Sequence, residues 1–464
     1  MDRWRARLNR PRDAASLAVF RMLFGLVMAG GVVRYFASGW IDRFYVRPTF
    51  HFHYWGFDWV EPLPAPWIHV AFAVLGVASL CIALGLFYRA ATVVFAVLFH
   101  YVHLLDVTNY LNHYYLVGLL ALIFCVLPLH RTWSLDARRK PALRAETLPA
   151  WMLYLLRFQV GLVYVFAALA KLGPDWLLHG QPLSIWLHSR TDTPVIGPYL
   201  DEPLVALAMS WAGFLYDLTI VGWLSWRRTR PFAYAVVCVF HFFTAVFFNI
   251  GIFPVLMTAV ATIFFSPSWP RRWVAWVAGR AERRPGAAPP ARWRLPGWGA
   301  AALGVWALFH LAVPLRAHLY GGNLLWHEQG MRWSWRVMVR EKNGAVSYRV
   351  RTDGRPRERI VEPRRYLNRE QEMEFAGQPD LILQLAHRIR DDLEAEGHRD
   401  VEVRADAWVS LNGRPSTRLI DPGVDLASVE DGVAPAGWIL PAPGGPPRHL
   451  RSYREHLALR PERR

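Results

Sequence analysis

Between Ser16 and about Leu315 the chain is one apolar segment after another, and this succession constrains its fold more than any other feature. A hydrocarbon layer about 30 Å thick admits helices of about 17–25 apolar residues, because there every backbone group must be satisfied within the chain. The candidate segments are 14–36, 67–87, 90–106, 113–129, 150–173, 203–225, 231–249, 251–266 and 298–316. They predict a polytopic α-helical membrane protein with about nine transmembrane helices. The short 249–251 junction reads as a tight turn or a kink. The basic N-terminus, Met1-Asp-Arg-Trp-Arg5, leads into the first span without a small-residue cleavage site and reads as a retained helix.

The pattern changes at about residue 318, which divides a transmembrane domain (1–318) from a C-terminal α+β extramembrane domain (319–464). In the tail, Trp333–Val339 alternates like a strand and leads to a turn at Asn343-Gly344. A strand over Val346–Arg351 and a turn at Asp353-Gly354 follow. Pro379–Glu396 reads as a helix with Leu381, Ile382, Leu385 and Ile389 on one face. Val401–Leu411 and Thr417–Ile420 flank a hairpin turn at Asn412-Gly413, and a Pro- and Gly-rich, then Arg-rich, stretch wraps loosely at the end. Residues 284–297 lack a helical or strand period and read as a linker.

A formal net charge of +17 suggests nucleic acid until the charges are located. Arginines crowd the N-terminus (Arg3 to Arg12) and the loops at 131–144, 227–230 and 271–284, which fall on one side if the spans alternate. The opposite loops are poorer in basic residues, and 191–203 carries Asp192, Asp201 and Glu202. The positive-inside rule then puts the N-terminus in the cytoplasm and, with an odd number of spans, the C-terminal domain outside, in the manner of a bacterial inner-membrane protein facing the periplasm or exterior. Aromatic clusters at span ends, such as Trp55, Trp59 and Trp67, fit an interfacial belt.

The three cysteines, Cys81, Cys125 and Cys238, lie inside apolar segments, without metal-ligand spacing, and read as small core residues. His100 and His103, with Asp106 beyond, have a spacing open to metal but lack further ligands, so no metal is expected. There is no phosphate-binding loop, dinucleotide motif or serine-esterase elbow, and no inverted repeat of the kind transporters carry.

Ionisable groups inside spans are costly unless they pair or work, and Arg21, Lys171, Asp217 and His241 are the conspicuous ones. Lys171 ends the fifth segment on the outer side, where snorkelling alone would also explain a lysine. Asn112-His113 opens the fourth span on the same side, and Asn249 follows His241 by about two turns. Three non-adjacent segments thus bring a lysine, histidines and amides to one depth, which suggests a site. An amine acts as a base at neutral pH only where burial disfavours its charge, and a water-poor pocket supplies that condition.

Ser16-Leu-Ala-Val-Phe-Arg-Met-Leu-Phe-Gly25, Leu104-Leu-Asp106 with Asn112-His113, Ala170-Lys-Leu-Gly-Pro-Asp-Trp176, Tyr216-Asp-Leu218 and Ser266-Pro-Ser-Trp-Pro270 resemble the vitamin K-dependent gamma-carboxylases. In the tail, Trp333-Ser-Trp335, Asp406-Ala-Trp-Val-Ser-Leu-Asn412 and Asp421-Pro-Gly-Val-Asp425 continue the resemblance in order. The resemblance implies a lyase-type carboxylase that couples epoxidation of reduced vitamin K or menaquinol by O2 to addition of CO2 to protein glutamate. It implies catalytic roles for Lys171, as the base toward the quinol, and for His113 and Asn112 in the carboxylation half. His241, Asn249, Arg21, Asp217 and Trp333 are the candidates for contact with the quinone or its surroundings. The implied partners are a membrane lipid quinone and a Glu-containing protein or peptide. The tail departs from the clotting-factor carboxylases in having no cysteine and in being shorter, so a disulfide to the membrane region cannot form and propeptide docking is open. A quinol epoxidase without protein carboxylation, and a non-catalytic lipid-binding or receptor protein, remain as alternatives.

Overall fold

Gly25 lies within a long helix, α1 (Ala15–Ala37), at its crossing with the next, α2 (Ala65–Leu84). A Cβ on Gly25 would lie 2.5 Å from both the Ala83 nitrogen and the Ser79 oxygen, so only glycine allows this approach. The computed structural model describes residues 3–281, 286 and 293–447. Eight further apolar or amphipathic helices follow in its membrane part: α3 (Tyr88–Leu104), α4 (Asn112–Val126), α5 (Ala150–Ala170), α6 (Pro203–Ser225), α7 (Arg230–Phe247), α8 (Phe253–Ala261), α9 (Trp269–Val277) and α10 (Gly297–Leu315).

Six of these are long and apolar enough to cross a membrane: α1, α2, α5, α6, α7 and α10 with its 3-10 extension to Tyr320. The chain is an integral membrane protein. The count differs from about nine for a reason of length. The 17 residues of α3 and the 15 of α4 make these helices shorter than each of the six. The expected eighth span is broken: α8 and its 3-10 extension to Phe264 meet α9 at a bend of 97°. The 249–251 junction is a tight turn, with Gly251 at φ +62°.

Arg21 is engaged by backbone carbonyls. It is fully buried, and its guanidinium donates to Ile82 O and Ala83 O, 2.5 Å each, and to Trp133 O at 2.7 Å. These include orphan carbonyls at the end of α2, which closes on Gly85 in the left-handed region. A cation at a helix C-terminus is favoured by the helix dipole, so Arg21 is a cap and lines none of the cavities described below.

The strands β1 (Pro11–Asp13) and β2 (Thr147–Pro149) pair antiparallel. Asp13 also accepts from Arg271 Nε, at 3.0 and 2.9 Å. The N-terminus, the loop after α4 and helix α9 therefore meet at one end of the bundle, where the sequence concentrates its arginines.

The tail packs at the other end. Its sheet is antiparallel in the order β4-β3-β5-β6, with β3 (Lys342–Arg351), β4 (Arg359–Val361), β5 (Glu402–Leu411) and β6 (Thr417–Arg418). Helix α11 (Pro379–Ala395) lays Leu381, Ile382, Leu385 and Ile389 onto the sheet, and Tyr348 donates to Ile382 O at 2.8 Å. The turns at Asp353-Gly354 and Asn412-Gly413 form, all four residues having positive φ. The expected turn at Asn343-Gly344 does not: β3 runs straight through it, paired with Ser410 and Val409. Gly344 serves close approach instead, since a Cβ there would lie 2.8 Å from Ala376 O. Trp333–Val339, expected as a strand, is an irregular loop with Trp333, Trp335 and Met338 at φ of 62°, 55° and 54°. After Arg418 the chain returns along the sheet, bridging Ile420 to Ile439. The Arg-rich end from 448 and most of the linker at 284–297 lie outside the described residues.

Tail and bundle are joined by polar contacts. Asp106 accepts from Gln371 Nε2 at 2.8 Å, and the His53 backbone exchanges two 3.0 Å bonds with the Gln384 amide. Asp175, just past α5, accepts from Arg414 Nη1 at 2.8 Å and Nη2 at 2.6 Å and from Asn412 Nδ2 at 2.9 Å. Burial pushes the Asp175 carboxyl upward, but the bonds from Arg414 and Asn412 outweigh it and hold the group below the usual carboxylate range.

Two outcomes follow. Arg21→Leu removes the donor to the buried Ala83 and Trp133 carbonyls, each loss costing about 1–3 kcal/mol, and lowers the unfolding temperature in detergent, whereas Ile82 O keeps the Gly85 N–H. Because its folded pKa is depressed, Asp175 contributes stability that is present above its unfolded pKa and lost as pH falls through the folded one. Asp175→Asn therefore flattens the acid limb of tail protection in limited proteolysis measured against pH.

Candidate active site

Helix α5 stops where Gly173-Pro174 approaches, since the residue before a proline is pushed out of helical geometry. Lys171 is its C-cap, with φ −87° and ψ −1°. The side chain turns inward. Lys171 Nζ donates to Asp217 Oδ2 on α6 at 2.8 Å, and to Ala167 O at 3.3 Å. It also reaches Val337 O of the tail loop at 3.5 Å and lies 5.1 Å from the Trp176 ring centroid. The Lys171 and Asp217 side chains are 6% and 10% exposed, so this is a buried pair and not a snorkelling lysine.

The pair borders a cavity of about 750 Å³ between α5, α6, α7 and α8. Its wall is apolar apart from a few groups, among them Lys171, Asp217, Tyr164, Tyr216 and His241. Tyr216 stacks on Phe240 with centroids 3.9 Å apart, and its hydroxyl lies 3.4 Å from His241 Nε2. His241 Nδ1 is buried without a protein partner. Phe232, Val239 and Phe243, all exposed, contribute to the wall, so the cavity opens on the bundle's apolar outer surface.

His113 lies in the first turn of α4, on the other side of a single ring. Phe253 packs against His113 at 5.8 Å and against His241 at 5.5 Å, and it lines the large cavity. His113 Nε2 is buried without a partner. Asn112 accepts from the Tyr110 hydroxyl at 3.1 Å, donates toward Arg336 O at 3.5 Å and faces a separate polar cavity of about 160 Å³.

Glu328, Arg332, Arg336, Arg340 and Glu374 also line this polar cavity. Arg332 is paired with Asp380, and Arg340 with Glu328. Lys342 beside them donates to Glu328 Oε1 at 2.9 Å, and burial lowers its pKa to about 8. Arg336 pairs with no carboxylate among the described residues. Met338 lines both cavities, so the loop 333–339 forms a partition between an apolar chamber and a cationic one.

The remaining candidates lie elsewhere. Asn249 is exposed: α7 ends at Phe247, so Asn249 has left the helix and no longer continues the His241 face. Trp333 stacks on Tyr54 at 6.0 Å in a cleft of about 490 Å³ bordered mostly by the C-terminal region. No group of three or more His, Cys, Asp or Glu among the described residues is placed to hold a metal, and His100 bonds through Nδ1 to Ala96 O at 2.7 Å. Tyr164, Phe253 and Arg336 were not singled out from sequence; Tyr216 lay within a quoted motif without a role.

Residues 9–269 match the HTTM domain, and residues 297–444 match the lumenal domain of the vitamin K-dependent gamma-carboxylase. No solved structure matches the chain. The chain belongs to the vitamin K-dependent gamma-carboxylase family. Its two matched regions meet at the 333–339 loop and Lys171, so the surroundings of the Lys171–Asp217 pair are completed by a carbonyl from the second region. The second match begins at Gly297 and so includes α10, whereas the change in sequence pattern falls near 318.

Removing one partner of the buried pair leaves an uncompensated charge. Asp217→Leu destabilises the protein by about 3–5 kcal/mol, and Lys171→Met with Asp217→Leu recovers most of that loss. Thermal unfolding of the two single variants and the double variant measures the coupling.

Proposed function

We propose that the chain is a quinol-dependent γ-glutamyl carboxylase that oxygenates reduced vitamin K or menaquinol and carboxylates a protein glutamate with CO2. One observation carries the reading: a buried Lys171–Asp217 pair on an apolar, laterally open cavity, one loop away from a cavity presenting an arginine that has His318 but no carboxylate as a partner among the described residues. On this reading α3, α4 and the broken α8 complete about nine crossings. The N-terminus is cytoplasmic and the tail faces the periplasm or exterior of a bacterial inner membrane.

The large cavity suits a lipid quinol. It is apolar, it opens toward lipid, and His241 Nδ1 offers a buried atom that lacks a partner for a ring oxygen. Within the pair, passing one proton from Lys171 Nζ to Asp217 Oδ2 gives a neutral amine beside a neutral acid, a form that burial penalises less than two ions. The free amine then takes the proton of a quinol hydroxyl. When bound and oxygenated, the quinol supplies the strong base that removes the glutamate γ-proton. The apolar wall keeps water from quenching that base. Arg336 holds the substrate carboxylate in the polar cavity, with Asn112 beside it, and His113 serves the carboxylation half.

The test is incubation of detergent-purified protein with reduced vitamin K or menaquinol, O2, labelled bicarbonate and a Glu-containing peptide. Epoxide and acid-stable label in the peptide appear together, and Lys171→Ala lowers both by about 10²–10⁴-fold. Arg336→Gln raises KM for the peptide and leaves KM for the quinol unchanged. Epoxide without label leaves a quinol epoxidase; neither product, from folded protein with several quinols, leaves a lipid-binding receptor.

A further inference from the structure

A third, smaller cavity of about 60 Å³ lies between α1, α2, α3 and α4. Most of its wall is apolar, including Val32, Phe72, Leu75, Phe95 and Phe99, yet Arg34, His103, Asn109 and three tyrosines, Tyr35, Tyr45 and Tyr114, also line it, the Tyr35 and Tyr114 hydroxyls lying 3.3 Å apart. The Arg34 guanidinium lies 4.5 Å from the Trp40 ring centroid and pairs with no carboxylate among the described residues. His103 Nε2 is buried without a partner. Gly251 brings Arg34 and His113 together: a Cβ there would lie 3.4 Å from Arg34 Nη1 and 4.0 Å from His113 Nε2. Consecutive residues form the partition, since Ile252 lines the small cavity and Phe253 the large one.

We propose that this cavity is the carbon dioxide pocket, with Arg34 as its donor and Ile252-Phe253 as the wall between it and the quinol chamber. The proposal rests on the carboxylase reading above. The space suits a molecule of a few heavy atoms and is too small for a quinol ring. Bicarbonate, a full anion, loses far more hydration than a neutral molecule does on entering a mainly apolar space. Carbon dioxide is neutral, with partial negative charge on its oxygens, and suits an apolar wall that carries a single cation. Dioxygen gains little from Arg34, which favours carbon dioxide as the occupant.

Gly31 gives direct access to the test. It lines the pocket, and a Cβ there meets only Ile252 Cδ1, at 3.7 Å, so a larger residue can enter without disturbing the backbone. Its neighbour Gly30 is exposed, and a Cβ there meets nothing within 4 Å, which makes Gly30→Leu the matched control. In the coupled assay, Gly31→Leu raises KM for CO2 by at least about tenfold. Epoxide formation is retained and KM for O2 does not move, so product shifts from labelled peptide to epoxide; Gly30→Leu changes neither. Arg34→Gln gives the same shift if Gly31→Leu fails to fold. An unchanged KM for CO2 in the folded variant, or a raised KM for O2 instead, overturns the assignment. If wild-type protein makes no labelled peptide, the carboxylase reading fails. The pocket is then judged by the infrared band of protein-bound ¹³CO2, whose presence in wild type and loss in Gly31→Leu sustains it and whose absence in wild type overturns it.

Discussion

The charge on Lys171 is buried at the end of α5, and the arrangement of both regions of the chain answers to it. An isolated ammonium in a water-poor cavity costs several kcal/mol, so the lysine requires partners from outside its own helix. Asp217 supplies the opposite charge from α6, the Trp176 ring lies close by, and Val337 supplies a carbonyl from the loop after α10. Each partner belongs to a different segment. The position of α6 against α5 and the seating of the tail on the bundle are therefore coupled to the state of one amine. The Asp175–Arg414 clamp lies only four residues beyond Lys171 and ties the same stretch of chain to the β5–β6 turn.

The loop 333–339 follows from this requirement. Non-glycine residues in the left-handed region cost of order 1–3 kcal/mol each, and three of them occur within six residues: Trp333, Trp335 and Met338. A strand here, as the alternation suggested, would send side chains to two faces but could not turn a carbonyl toward Lys171 and a side chain between two cavities. The contorted backbone does both. It is stabilised by aromatic packing, with Trp333 on Tyr54 and Trp335 on Tyr115, and by the Tyr110 hydroxyl, which accepts from the Trp333 N–H at 2.8 Å.

Much of this was legible in the sequence because hydropathy and turn chemistry act locally. The apolar segments, the α11 face and the Asp353-Gly354 and Asn412-Gly413 turns are set by residues near one another in the chain. Where a glycine answers to a distant partner, local reading fails: Gly344 looked like a turn but makes room for Ala376. Six of the expected spans have helices long enough to cross by length and composition. Composition does not reveal that α8 breaks or that α3 and α4 are short, because both depend on packing against neighbours. At the site, intramembrane charge pointed to Lys171, Asp217 and His241, which line one cavity. The same rule also picked out Arg21, whose partners are backbone carbonyls and thus invisible in a list of side chains.

The separation of chambers carries a chemical consequence. On the proposed reading, a guanidinium beside the strong base generated on the quinol would protonate it, so the arginines proposed to recognise substrate are better held outside that chamber. Placing Arg336 across the 333–339 loop, and Arg34 across the Ile252-Phe253 step, keeps both cations out of the apolar chamber while leaving each only one residue layer away. Phe253, Val337 and Met338, which line the chamber at these partitions, have no side-chain protons to give. Catalysis in such an arrangement depends on how far these thin walls yield when substrate is bound, because a wall that never moved would also exclude the glutamate.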